Sequence, residues 1–315
     1  MPIPVYLFTG FLESGKTRFI QQTMEDKRFN NGEKTLMIVC EEGEEEYDVD
    51  RFSGKNVHFE YIDKLEDITE ARLNAWPSKH RVDRVIIEYN GMWPLLNLYQ
   101  AMPEKWAIYQ QILTADATTF MVYNQNMRNL VYDKINGAEL VIFNRFEEGA
   151  DKMPYHQLVR AVSRRIDIAY EYPNGEAEYD DIEDPLPFDI EAPIIEVKDD
   201  DYAIWYRDVM EEPQKYVGKK VRYKGMAAHT NKMPKGSFVP GRFVMSCCAD
   251  DIQFMGFLCF SEENNRFPDK SWVTVTAEIG FEKVPGSRVR EPMPVLKAIS
   301  LQPASRPEEE VAQFY

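Results

Sequence analysis

The chain has 315 residues, 37 Lys and Arg against 53 Asp and Glu for a formal net charge of −16, and a hydrophobic fraction of 44%. That length exceeds one small core and predicts two domains, while the acidic balance argues against nucleic acid or an anionic membrane surface as partner. No apolar run is long enough to span a bilayer and no signal peptide precedes the first strand, so a cytoplasmic protein without membrane insertion is expected.

Residues 3–8 form a short apolar run of strand length, and they lead into Gly10-Phe11-Leu12-Glu13-Ser14-Gly15-Lys16-Thr17. This stretch fits Gly-x-x-x-x-Gly-Lys-[Ser/Thr] at every fixed position. Its glycines let successive backbone N–H groups face one anion, Lys16 reaches the β and γ phosphates, and the Thr17 hydroxyl is placed to ligate Mg²⁺. Residues 18–24 hold helix formers without Pro or Gly, so a helix should add its positive N-terminal end to the same anion. The bland alternative is a glycine-rich turn. The strand, loop, helix order favours a phosphate cradle, which makes Gly10, Glu13, Ser14, Gly15, Lys16, Thr17 and Arg18 candidate nucleotide contacts.

Residues 34–40 are a β-rich apolar run, predicted as a buried parallel strand. It stops at the acidic run 41–48, which reads either as a solvated loop or, at the carboxyl end of a strand, as a source of Mg²⁺ ligands, with Glu41 and Glu44 the candidates. An amphipathic helix is expected over 63–74. Residues 82–88 repeat the strand pattern and end in Glu88, followed by Tyr89-Asn90-Gly91. A carboxylate there suits a group that holds Mg²⁺ or positions an attacking water, and Gly91 leaves room for close backbone approach to a phosphate. Apolar residues spaced by three or four predict a helix within 94–113. Residues 118–123 read as a further β-rich run, the stretch through 136 as helical, 139–143 as a strand, 155–165 as a helix and 166–170 as a last strand. Alternation at this spacing implies a doubly wound, mainly parallel α/β sheet.

Residues 173–193 are dense in Pro, Asp and Glu without a period, as expected of a linker or covering arm. It separates the expected domains 1–172 and 194–315. Beyond it, strands are predicted over 219–226, 241–248, 254–260, 271–279 and 294–301, with a short helix over 202–210, which suggests a small closed barrel of OB type. Of the four cysteines, Cys40, Cys247, Cys248 and Cys259, the adjacent pair Cys247 and Cys248 could bind Zn²⁺ or be structural thiols. Neighbouring residues on a strand point to opposite faces, which stands against one shared site. All four fit reduced thiols better than a secreted disulfide framework.

The landmarks in 1–170 resemble the CobW-like GTPases, a P-loop family with proposed metallochaperone roles. The loop 10–17 is similar to that family's down to its Gly-Phe-Leu opening, and Glu88-Tyr89-Asn90-Gly91 resembles its Glu-x-x-Gly element, which implies Mg²⁺ and γ-phosphate contacts. Glu41, Gly43, Glu44 and Asp48 match the spacing of its Asn-Glu-Phe-Gly-Glu segment, with Cys40 in place of the Asn and Glu42 in place of the Phe. The guanine-reading Asn-Lys-x-Asp stands here as Asn144-Arg145-Phe146-Glu147, and the resemblance implies that Asn144, Arg145 and Glu147 meet the base. The family's Cys-x-Cys-Cys metal motif is absent from 56–61. Residues 195–315 resemble a different group, the soluble domain of two-component permease subunits of the YcgQ type, carried by Tyr216-Val217-Gly218-Lys219-Lys220-Val221, residues 241–250 and Trp272-Val273-Thr274-Val275-Thr276. The transmembrane helices of that group are missing.

Together these features predict a slow Mg²⁺-dependent nucleoside triphosphatase acting on GTP, with Lys16 and Glu88 central to hydrolysis and a permease or metal-acceptor protein as partner. The competing expectation is a non-catalytic adaptor that keeps the P-loop fold while the barrel recognises a partner.

Overall fold

Along β1 (Ile3–Thr9), Val5 and Leu7 join one hydrophobic cluster while Phe8 joins another, as a two-residue period requires when both sheet faces are covered. β2 (Thr35–Val39) divides in the same way, with Leu36 and Ile38 on one face and Met37 and Val39 on the other. The computed structural model describes residues 2–230, 233–245, 252–263, 266–284 and 291–314, without the side chains of 77–80, and the chain divides into the units Met1–Ile182 and Glu183–Tyr315.

In the first unit β3 (Val57–Tyr61), β4 (Arg84–Glu88), β5 (Trp106–Asp116), β6 (Leu140–Asn144), β7 (Asp167–Glu171) and β8 (Ala177–Tyr179) complete a sheet of order β3-β2-β4-β1-β5-β6-β7-β8. Every neighbouring pair is parallel except β7 with β8. The helix α1 (Lys16–Glu25) carries the chain from β1 toward one edge. The helices α2 (Glu70–His80), α3 (Leu95–Ala101), α4 (Ala117–Asn126), α5 (Arg128–Asn136) and α6 (Met153–Val162) carry it toward the other. Right-handed crossovers therefore put Ile20 and Met24 of α1 on one face, and Leu73, Leu98, Phe120, Ile135 and Val159 of the later helices on the opposite one.

Four expectations for this unit need correction. Residues 94–113 are not one helix: α3 stops at Ala101, and Pro103 precedes the strand β5, which lies between β1 and β6. Residues 118–123 are helical, because Asp116 caps α4 by accepting a 2.9 Å hydrogen bond from Thr118 N. The helix expected over 63–74 begins only at Glu70. Within the acidic stretch 173–193, β8 joins the sheet and Asp180 accepts hydrogen bonds from Tyr170 and lies 2.8 Å from His156 Nδ1, so its first part is a structural edge.

The second unit contains β9 (Ile195–Glu196), α7 (Tyr202–Glu211), β10 (Lys220–Ala228), β11 (Ser237–Met245), β12 (Gln253–Met255), β13 (Leu258–Phe260), β14 (Trp272–Glu282), β15 (Met293–Pro303) and β16 (Val311–Gln313). Pairings β10–β11, β11–β13, β13–β15, β15–β14 and β14–β10 close a five-stranded barrel, with β13–β15 its parallel contact. Numbered within the barrel the order is 1-2-3-5-4-1, that of an OB fold. Alternate residues Val221, Tyr223, Val273 and Val275 are buried, as are Cys259 and Leu296. The strand expected over 254–260 is split at Gly256, where an added Cβ would lie 2.7 Å from Gly241 Cα. Cys247 and Cys248, the possible Zn²⁺ pair, lie outside the described residues.

Candidate functional site

Sheet register gathers the candidate residues. Phe8 and Val39 are both level with Glu88, Thr9 with Leu113, and Asp116 with Asn144. The loops leaving β1, β2, β4, β5 and β6 therefore emerge side by side at the carboxyl ends of the strands, where open α/β sheets bind ligands.

The loop 10–17 is held by its neighbours at several points. Ser14 Oγ and Thr114 Oγ1 are 3.0 Å apart, and Asn144 Nδ2 donates to Ser14 O. Gly15 has φ +90° and opens α1. A Cβ there would lie 2.5 Å from Asn144 Nδ2, so the position accepts glycine alone. Glu13 has φ +61°, its carbonyl accepts a 2.8 Å bond from Arg145 Nη1, and its Oε1 accepts a 3.2 Å bond from Glu44 N.

Lys16 is buried. Its Nζ donates to Gly10 O at 2.8 Å and Phe11 O at 3.0 Å, and pairs with Glu41 Oε2 at 2.6 Å. Thr17 Oγ1 donates to Glu88 Oε1 at 2.7 Å, and Tyr47 OH donates to Glu88 Oε2 at 2.5 Å. Glu88 is 2% exposed. Burial pushes its carboxyl above the ordinary carboxylate range, opposed by the hydrogen bonds from Tyr47 and Thr17 and by the Lys16 charge. Burial, then the neighbouring Glu88, push the Tyr47 phenol well above its usual value. Cys40, behind this layer, is pushed up to about 12 by burial first, then by Glu88 and Glu41, and is a neutral thiol.

The structure thus brings together Gly10, Glu13, Ser14, Gly15, Lys16, Thr17, Glu41, Glu88, Asn144 and Arg145. Gly91 packs against the back of the loop: a Cβ there would lie 2.5 Å from both Gly10 O and Phe11 Cα. Arg18 lines a neighbouring cleft with Asn144 and Arg145 and reaches Glu171 at 3.4 Å. Glu41, expected beside Mg²⁺, has its carboxylate on Lys16, and Glu44 approaches the loop through its backbone N–H. Glu147 is exposed beyond the buried Phe146 and does not join the loop contacts.

Sequence alone does not single out Tyr47, Thr114 or Asp116. Asp116 Oδ2 holds Arg145 Nη1 at 2.6 Å while Oδ1 caps α4, so one carboxylate orients both a helix and a guanidinium. Its signal was an Asp followed by Ala-Thr-Thr, an N-cap pattern. A solvent-open cleft of about 950 Å³ adjoins the loop, with Thr17, Glu41, Tyr47, Phe59, Tyr61 and Glu88 on its walls.

Residues 4–169, more than half of the chain, match the model of the CobW/HypB/UreG nucleotide-binding domain. The chain belongs to this family. Residues 174–312 match the DUF1980 C-terminal domain. Among solved structures, Zn(II)-bound YjiA GTPase from E. coli is 21% identical, with a TM-score of 0.40 over 53% of this chain and 57% of that one. The hydrogenase maturation factor HypB from Archaeoglobus fulgidus is 16% identical, with a TM-score of 0.40 over 55% of this chain and 82% of that one. FlhF complexed with GMPPNP/Mg(2+) is 13% identical, with a TM-score of 0.37 over 57% and 70%. This chain spans little more than half the length of the YjiA chain. No curated protein matches it. Among the described residues no helix is long and apolar enough to cross a membrane, and no group of three or more His, Cys, Asp or Glu is arranged to hold a metal ion.

Proposed function

We propose that this protein is a slow, Mg²⁺-dependent GTPase that acts as a switch, its nucleotide state altering how the barrel meets a partner. The observation that carries this reading is the pairing of Thr17 with Glu88 across the mouth of the loop that holds Lys16. Thr17 Oγ1 and Glu88 Oε1 are hard oxygen donors side by side, the chemistry that suits Mg²⁺. Bound there, Mg²⁺ supplies charge neutralisation at the phosphates. Lys16 and the backbone N–H groups of 13–17 bind and orient the phosphates, and Glu88 holds Thr17 and an attacking water. Asn144 fixes the loop beside the base, and Arg145 offers its planar guanidinium to the base face. The test is the binding of labelled GTP: Lys16→Ala should lose it, and equal binding by that variant overturns the reading.

The resemblance of 195–315 to YcgQ-type permease subunits supports a permease or a metal-acceptor protein as the partner, and a cytoplasmic setting. A second reading, a non-catalytic adaptor, is favoured by the exposed position of Glu147, which leaves the base-reading segment incomplete. Phosphate release with GTP and with ATP separates the two: sustained turnover of either, lost in Lys16→Ala, excludes the adaptor.

A further inference from the structure

An ammonium group has three N–H donors, and those of Lys16 meet three acceptors: Gly10 O at 2.8 Å, Phe11 O at 3.0 Å and Glu41 Oε2 at 2.6 Å. A phosphate oxygen reaches this lysine only by taking the place of one of them. The two carbonyls belong to the loop itself and are fixed by its backbone. Glu41 arrives on a separate segment, and its carboxylate carries the charge that a phosphate would repel.

We propose that Glu41 sets nucleotide affinity by holding the phosphate-binding lysine in competition with the phosphates, so that binding displaces it. The proposal rests on the nucleotide-binding reading above. The segment that moves is defined at both ends. Cys40 N donates to Glu88 O at 2.9 Å and Asn90 Nδ2 to Cys40 O at 3.3 Å. At the other end, Asp48 N donates to Gln21 Oε1 at 3.0 Å and Gln21 Nε2 returns a bond to Asp48 O at 3.0 Å. Between these anchors the strap 41–47 crosses the loop mouth, touching the loop through Glu41 on Lys16 and Glu44 N on Glu13, and reaching Glu88 at the end of β4 through Tyr47. Displacing Glu41 therefore moves the segment that carries Tyr47, a positioning residue for Glu88. Arrival of the phosphates is transmitted to the carboxylate beside Thr17.

The sign of one substitution distinguishes this role from that of a Mg²⁺ ligand. A ligand lost weakens nucleotide binding; a competitor lost strengthens it. The experiment measures the Kd of a fluorescently labelled, non-hydrolysable GTP analogue with Mg²⁺ for the full chain, for Glu41→Gln and Glu41→Ala, and for Glu42→Gln as a charge control, with circular dichroism to confirm folding. Both Glu41 variants should bind about three- to tenfold more tightly, the scale of one partly screened ion pair, and Glu42→Gln should stay within about twofold. Equal or weaker binding by the Glu41 variants overturns the proposal and leaves the nucleotide site standing, as does equal tightening in Glu42→Gln. Failure of the unaltered protein to bind the analogue overturns the nucleotide reading and this proposal with it.

Discussion

Thr17 Oγ1 donates a 2.7 Å hydrogen bond to Glu88 Oε1, joining two residues 71 positions apart in the chain. The contact follows from register, since Phe8 of β1 lies level with Glu88 of β4 and the loop after β1 must pass over the end of β4. Glu88→Gln keeps an acceptor for Thr17 and removes the charge. Steady-state phosphate release should fall by about 10²-fold or more, well beyond the loss of affinity for labelled GTP with Mg²⁺ that removing one charged oxygen donor brings. An unchanged turnover number would remove Glu88 from the hydrolytic machinery.

Burial raises the Glu88 carboxyl, and the Tyr47 hydroxyl opposes that rise because it donates to the charged form. In nucleotide-free protein, carboxyl ¹³C titration should give Glu88 a midpoint above the ordinary value of about 4.3, and Tyr47→Phe should move it higher still. A folded-state value above the unfolded one means that this group favours the fold at acid pH. The contribution is lost as pH rises through the raised value.

Gly91→Ala places a Cβ 2.5 Å from two backbone atoms of the phosphate loop, neither of which can turn away. The loop itself has to shift. The expected result is a stability loss of about 1–3 kcal/mol in urea unfolding and at least about tenfold weaker nucleotide binding. Native-like affinity would mean that the loop has slack not evident from its contacts.

Asn144 acts on the loop through Ser14 O, whereas Glu147 stands exposed beyond Phe146. Asn144→Ala should therefore weaken GTP and ATP by similar factors in competition binding. Glu147→Ala should change their ratio only if the 146–148 segment moves inward on binding; an unaltered ratio identifies a base site that does not use this carboxylate.

In the barrel, Arg242 is 1% exposed, with Nη1 donating to Asp199 O at 2.7 Å and Nη2 to Glu309 O. Asp199 also pairs with Lys224 at 2.8 Å, so it keeps one cation if Arg242 is replaced. Arg242→Ala should cost about 2 kcal/mol, less than breaking a fully buried pair because Asp199 is 31% exposed, read as a lower calorimetric transition of the full chain.

The phosphate loop was legible in the sequence because its chemistry is local. Two glycines, Lys16 and Thr17 occupy one turn, and an apolar run before it and helix formers after it are each specified within a few residues. The buried parallel strands β1, β2, β4 and β6 were equally plain as continuous apolar runs. The failures lie where local signals conflict. Spacing by three or four through Trp106, Tyr109 and Leu113 reads as a helix, yet pairing with β1 and β6 on both sides makes 106–116 a strand. The β-branched residues 118–119 read as a strand until Asp116 caps them into α4. The alternation in Val57-His58-Phe59-Glu60-Tyr61 was a strand signal in plain view.

Sequence by itself determined that a phosphate-binding turn stands between a buried strand and a helix, that Glu88 ends a second buried strand, and that an acidic stretch precedes an all-β half. Only the tertiary structure decided which side chains meet. Strand order puts β4 beside β1 and β5 on the other side, so Glu88 and Thr114 reach the loop from opposite flanks. The strap after β2 folds back so that Glu41 takes Lys16 and Tyr47 takes Glu88. The physical reason is that a strand's own residues fix its burial and direction, whereas its neighbours are chosen by pairing and packing across the whole sheet, which no short window of sequence contains.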